Sequence, residues 1–238
     1  MHNDLIVKKI NLKNLDTYVY IDSSNIRNAL KVSNIRLDWV KLYDYFLNTY
    51  TDVKRINYFE GIDKNDLSKQ KEFKQLEKKG YALKTLERKT YSNSAKYKTF
   101  KCINCKEKNT VEILKESKTL KSNIDVYLCS ELMGDLFTAS KTTHAIILTC
   151  DGDYAEMIKN ILEMNQNIHI SVFATPFTKY NNYLSIRLKE LERVKRYYLV
   201  NILNIRDRIG EKIGKKNESY TEVEPSNGKL PHRSGAVE

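Results

Sequence analysis

The sequence predicts an α/β fold of three layers, a mostly parallel central sheet with helices on both faces. Three observations predict it. Short β-rich segments recur at Thr17–Ile21, Val53–Phe59, Tyr81–Leu86, Ala145–Leu148 and Asn167–Ala174. Segments with apolar residues at helical spacing lie between them. One of the short segments, Ala145–Leu148, is unbroken apolar with two β-branched members, which suits a strand buried on both faces.

In order, residues 1–16 read as a lead-in with room for a short edge strand. Thr17–Ile21 is the first strand and runs into Asp22-Ser23-Ser24-Asn25, after which Ile26, Ala29 and Leu30 suggest a short helix. Asp38 suits the cap of the next helix, where Trp39, Val40, Leu42, Tyr43 and Phe46 form an apolar stripe read as core. Val53–Phe59 is the second strand. Asp66–Lys79 is a charged helix with Phe73 and Leu76 inward and Gly80 as its C-cap, and Tyr81–Leu86 is the third strand. This alternation predicts right-handed crossovers and a parallel sheet.

Residues 90–117 break the pattern. The stretch is polar and holds Cys102-Ile103-Asn104-Cys105, flanked by Phe100 and Val111–Leu114 like the arms of a hairpin. A CxxC at a hairpin tip is half of a zinc knuckle. No second CxxC or nearby His completes it within the insertion. Either Zn²⁺ at Cys102 and Cys105 is completed by a second subunit, in a homodimer, or the two thiols are free. Val126, Leu128, Cys129, Leu132, Met133 and Phe137 then give a buried helix with Asp125 in its first turns. Tyr183–Leu191 reads as helical and Tyr197–Val200 as a last short strand or helix. From about Gly210 the chain turns polar, and residues 206–238 are set apart as a disordered tail.

The 238 residues suffice for one sizeable domain with extensions. With 41% hydrophobic and 30% charged residues, no run long enough to span a membrane and no apolar signal core at the N-terminus, the chain reads as cytoplasmic and not membrane-bound. Its four cysteines are therefore not read as disulfides, and Cys129 and Cys150 are small core residues. A net charge of +11 points to an anionic partner, nucleic acid first, although a lysine-rich proteome would give the same balance.

The chemistry is carried by acids at element ends. A helix begins close to Asp153, so Asp151 and Asp153 sit in a strand-to-helix turn at the carboxyl end of a central strand, where open α/β sheets bind ligands. A turn at Asp151-Gly152 and a helix cap at Asp153 are the plainer reading of the same residues. Asp22 ends the first strand. If the first and fourth strands lie side by side, Asp22, Asp125, Asp151 and Asp153 converge. Clustered carboxylates repel unless a cation neutralises them, and such hard oxygen donors suit Mg²⁺ or Mn²⁺. No phosphate-binding loop is present, and eight glycines do not supply a dinucleotide fingerprint.

Three segments carry a resemblance: Tyr18–Asn25 (YVYIDSSN), Lys121–Val126 (KSNIDV) and Leu148–Tyr154 (LTCDGDY). They are similar to the apolar-Asp-x-x-Asn opening, the Lys-Gly-x-Asp-Val segment and the Ser-Gly-Asp-x-Asp-Phe turn of the NYN domain family. These are PIN-like nuclease relatives that include the LabA-like proteins. The match spans roughly residues 15–200 and gives a PIN-like (Rossmannoid) domain over 17–205. Ser122 stands where the family has Gly and Cys150 where it has a small residue. The resemblance implies a divalent-metal RNA nuclease with Asp22, Asp125, Asp151 and Asp153 as metal-binding acids. Asn25 would orient a carboxylate or the substrate, and Glu131 would be a further ligand or base. Lys121, Arg27 and Ser23, beside these motifs, are candidate substrate contacts, with solvated surface charge the plainer reading of the two cations. The expected function is a metal-dependent endoribonuclease (a hydrolase of RNA phosphodiesters). The alternative is a non-catalytic RNA-binding module on the same scaffold, and a third reading is a partner-binding protein that docks through the cysteine hairpin.

Overall fold

Six of the strands form one sheet in which every neighbouring pair is parallel. The computed structural model describes residues 11–63, 65–176 and 183–213. In chain order its elements are β1 (Asp16–Asp22), α1 (Ser23–Val32), β2 (Ile35–Leu37), α2 (Trp39–Thr49), β3 (Val53–Ile62), α3 (Leu67–Lys79) and β4 (Ala82–Glu87). An excursion of four strands follows: β5 (Lys89–Asn93), β6 (Lys96–Lys101), β7 (Lys108–Leu114) and β8 (Ser117–Lys121). Next come α4 (Ile124–Thr138), β9 (Thr143–Leu148), a 3₁₀ turn (Gly152–Tyr154), α5 (Ala155–Met164) and β10 (Ile168–Ala174). The described chain closes with α6 (Ile186–Glu190), β11 (Tyr197–Asn201), α7 (Arg206–Ile209) and β12 (Gly210–Lys212).

The sheet order is β4-β3-β1-β9-β10-β11. From β1 the chain first moves outward through β3 to β4, then returns to β9 and moves outward the other way. The reversal falls between β1 and β9, which pair from Asp16↔Thr143 to Ile21↔Leu148. A crevice opens at the carboxyl ends of two such strands, because the loops leaving them diverge to opposite faces. The first and fourth strands of the sequence reading, whose adjacency the sequence leaves open, thus lie side by side.

Consecutive residues of β3 show the two covered faces. The ring of Tyr58 meets Trp39, Phe73 and Tyr81 edge-on, on the side of α1–α3. Phe59 points the other way and meets Tyr127 of α4. Successive strand residues face opposite sides, so both layers are anchored by neighbours in sequence. The α4 layer is also pinned by polar contacts: Tyr20 donates to Asp135 at 2.8 Å, and Arg55 pairs with the same carboxylate. Local chemistry sets the helix ends. Asp38 accepts the N–H groups of Val40 and Lys41, and Gly80 closes α3 at φ 116°, a conformation that a Cβ disfavours.

Several expectations are corrected. Val40 of the predicted α2 stripe faces solvent, and Leu42, Tyr45 and Phe46 fill the core instead. On α4 the buried face is Ile124, Leu128, Leu132 and Leu136, while Val126, Met133 and Phe137 are exposed. The first part of the predicted tail is folded: β12 pairs antiparallel with β2, and Ile209 is fully buried. No strand precedes β1 among the described residues, although Leu12 is buried. The rest of the lead-in and the tail beyond 213 lie outside the described residues.

The insertion is longer than expected. β5 pairs with β8 and β6 with β7, both antiparallel, giving a two-stranded arm from Lys89 to Lys121 in which no residue is buried. It carries nine lysines against three glutamates, so it concentrates much of the chain's positive charge.

Candidate active site

The candidate site lies at the switch point, where ligand crevices form in open α/β sheets, and is built from the ends of β1 and β9 and the first turn of α4. Asp22 is the last residue of β1 and is buried. Its Oδ1 accepts the Asn25 N–H at 3.3 Å and so caps α1. Its Oδ2 accepts the Thr149 hydroxyl at 3.4 Å and the Tyr154 hydroxyl at 3.3 Å. The Tyr154 hydroxyl also lies 3.0 Å from Oδ1 of Asp125. One phenol thus reaches both carboxylates, although its single proton can serve only one at a time.

Burial pushes the Asp22 carboxyl up to about 7, and the neighbouring Asp125 and Asp151 carboxylates push the same way. The Asn25 N–H and the Tyr154 hydroxyl pull against that rise. Asp125 stands at the open side of the crevice. Its carboxyl is raised by partial burial and by Asp151 and Asp153, and lowered by Tyr154. These acids share one electrostatic environment that disfavours full ionisation.

Asp151 is half-exposed and its Oδ1 accepts the Asp153 N–H at 3.0 Å, which starts the 3₁₀ turn. Asp153 faces outward, with a side chain 85% exposed and an ion pair to Arg187 at 3.5 Å. It contributes field to the crevice and no close contact with Asp22. Asn25 accepts the Cys150 N–H at 2.7 Å, so it ties the start of α1 to the end of β9 and fixes the backbone that presents Asp151. Gly152 lies against Ser185, where a Cβ would come within 2.1 Å of the hydroxyl oxygen. The turn therefore has no room for a larger residue.

The other candidates are placed differently. Ser23 is buried, and its hydroxyl lies within reach of the Phe59 carbonyl at 2.7 Å and the Glu60 carboxylate at 2.8 Å, its single proton serving one of them at a time. Arg27 is held by Glu72 at 2.9 Å and Glu60 at 3.4 Å, with its guanidinium over Trp39. Both side chains are engaged by Glu60. Glu131 pairs with Lys84 at 2.8 Å. Lys121 is exposed at the root of the arm, directly across from Lys89 and four residues before Asp125. Cys102 and Cys105 lie at the arm's tip, outside the crevice. Among the described residues no three His, Cys, Asp or Glu side chains form a ready ligand set.

Two residues were missed. Tyr154 follows Asp153 directly, and only its contacts reveal that its hydroxyl lies between two carboxylates. Glu60 is a buried carboxylate behind the crevice. Burial raises it, but the Tyr58 hydroxyl, Arg27, Lys69 and Ser23 outweigh that and hold it below its ordinary value.

No family model matches the chain, and no curated protein is similar to it in sequence. Its fold is similar to that of a solved protein of unknown function from Vibrio parahaemolyticus. The TM-score is 0.53 at 12% identity, over 84% of this chain and 98% of that one. This likeness supports the α/β architecture. No helix of the described residues is long and apolar enough to cross a membrane.

Proposed function

We propose that this protein is a metal-dependent endoribonuclease whose working carboxylates are Asp22, Asp125 and Asp151. The observation that carries the reading is the bridge Asp22–Tyr154–Asp125 at the switch point. It presents a buried acid and an open one to the same crevice, with Asp151 at its mouth. The donor set is all oxygen, since Cys150 is turned away toward Thr175. Mg²⁺ or Mn²⁺ fits such a set, because these ions bind through one or two carboxylates and keep several waters. When bound, the ion would lower the pKa of a coordinated water and offset charge on a phosphoryl oxygen.

The chain's own parts in this reading are specific. Asp22 and Asp125 hold the cation, and Tyr154 keeps their oxygens facing each other. Asn25 and Thr149 fix the strand ends from which Asp22 and Asp151 project. Asp151 is the carboxylate that an entering water meets at the rim. The lysine-rich arm, rooted at Lys89 and Lys121 beside the site, supplies phosphate contacts along the RNA. Asp153 and Arg187 form the rim, and Glu131 is engaged with Lys84 beside it.

The test is cleavage of a labelled single-stranded RNA with Mn²⁺, with Mg²⁺ and with EDTA. Wild type is compared with Asp151→Asn after its fold has been checked. Cleavage is expected to stop in EDTA and to fall at least ~100-fold in the variant. Cutting that survives both changes would sink the proposal. The alternative is a non-catalytic RNA-binding module on the same scaffold. It predicts RNA affinity indifferent to EDTA and to Asp151→Asn, with no cleavage by any preparation.

Tyr154→Phe separates the two further. The hydroxyl lowers the carboxyls of both Asp22 and Asp125, so its loss lets them rise. The acid limb of the pH–rate profile should then move to higher pH by roughly one unit. The rate on the alkaline plateau should change little. A profile that keeps its acid limb would remove Tyr154 from the site.

A further inference from the structure

The two cysteines that the proposed nuclease does not use sit in a shaped turn. The Cys102 N–H donates to the Glu107 carbonyl at 2.8 Å, and the Lys106 N–H donates to the Cys102 carbonyl at 3.0 Å. Lys106, just after Cys105, adopts φ 63°, in the left-handed region. The backbone of Cys105 and Asn104 and the neighbouring Cys105 thiol hold the Cys102 thiol below its ordinary value. These backbone bonds fold the segment from Cys102 to Lys106 back on itself, so both cysteines lie in one tight turn at the arm's tip.

A structural zinc site needs four such ligands in a tetrahedron. The tip offers two, and no group of three ligands is found among the described residues. The surroundings also await something. Lys101 and Lys108 are directly opposite each other in the β6–β7 pairing, an arrangement that costs stability unless negative charge is nearby. Ile103, between the cysteines, is 86% exposed. Four thiolates around Zn²⁺ carry a net charge of −2, which would offset part of the charge of Lys101, Lys106 and Lys108 from the two sides. A second tip would also cover Ile103.

We propose that the arms of two copies meet tip to tip, with Cys102 and Cys105 of both chains binding one Zn²⁺. In the step, four thiols release four protons to solvent and four S–Zn bonds form, with no change of oxidation state. The dimer follows from metal binding, because two basic tips without thiolate charge repel.

The experiment uses the full chain with a phosphine reductant and zinc chloride as the only added metal. Metal content is measured after dialysis, and mass by light scattering. One zinc per two chains and a dimeric mass are expected, both lost on adding a strong zinc chelator. Cobalt substitution should give the intense charge-transfer and d–d absorption of a four-thiolate tetrahedral site. Cys102→Ser and Cys105→Ser should each lose the metal and the dimer while keeping the wild-type circular dichroism, since the arm buries nothing. One zinc per monomer would place the missing ligands in the same chain and overturn the proposal. So would no retained zinc, or a dimer that survives chelation or either substitution. None of these readouts depends on RNA cleavage.

Discussion

Asp22→Asn is expected to abolish RNA cleavage and, above neutral pH, to leave a more stable protein. The two effects share one cause. Asp22 is buried beside Asp125 and Asp151, and its carboxyl is raised from 3.8 to about 7. Between these values the native state holds a proton that the unfolded chain has released. Native stability therefore falls as pH rises through this window and stays reduced above it, by on the order of 4 kcal/mol if Asp22 alone is counted. Asn cannot ionise, so it escapes that penalty. It keeps one carbonyl to accept the Asn25 N–H but turns an NH₂ toward the hydroxyls of Thr149 and Tyr154, which offsets part of the gain. A net advantage of roughly 1–3 kcal/mol at pH 8, shrinking or reversing at pH 4.5, is the expected balance. Urea unfolding at both pH values measures it. Mn²⁺ should stabilise wild type and not the variant, because a ligand that binds only the native state adds stability. A gap that is the same at both pH values would mean that Asp22 is not a strained carboxyl at all.

The fold was legible in the sequence because its signals are local. The run Ala145–Leu148, the alternation at Thr17–Ile21 and the stop at Gly80 each depend on a few neighbours. The placement of Asp22 and Asp151 was legible for a related reason: a strand end is a sequence event, and β1 and β9 are neighbours, while Asp125 joins them from the first turn of α4. What was not legible depends on partners far along the chain. Ser23 and Arg27 were assigned to substrate because nothing near them reveals Glu60, which lies 37 residues from Ser23 and binds both. The sequence groups Asp153 with Asp151 because spacing cannot show that a 3₁₀ turn aims it at Arg187. On α4, apolar residues occur all round, so periodicity alone could not choose between Leu132 and Met133 as the inward neighbour. The β2–β12 pair has strands of only three residues each, too short to leave a pattern.

Glu60→Ala should be the most destabilising single change behind the crevice, by about 3–5 kcal/mol. Glu60 is only 4% exposed, and it collects Ser23 at 2.8 Å, Tyr58 at 2.6 Å, Lys69 at 3.2 Å and Arg27 at 3.4 Å. Removing it leaves these donors without their shared acceptor, and a polar group stranded in this way costs more than the intact pair contributes. Glu60→Gln keeps an acceptor for Ser23 and Tyr58 but gives up the charge, so a smaller loss is expected. The pH dependence has the opposite sign to that of Asp22. The Glu60 carboxyl is held below its ordinary 4.5, so its contribution is complete above that value and is lost as pH falls through the native value. Wild type and Glu60→Gln should therefore converge in acid, whereas wild type and Asp22→Asn should separate in base. The change also reaches the site. Ser23 follows Asp22 directly, and its bonds to Glu60 and the Phe59 carbonyl fix the first turn of α1. A drop in cleavage that is present in Glu60→Ala and rescued in Glu60→Gln would tie site geometry to this network. A loss in Glu60→Ala of less than about 1 kcal/mol, the range of a solvated surface pair, would show that the network does not hold the crevice in place.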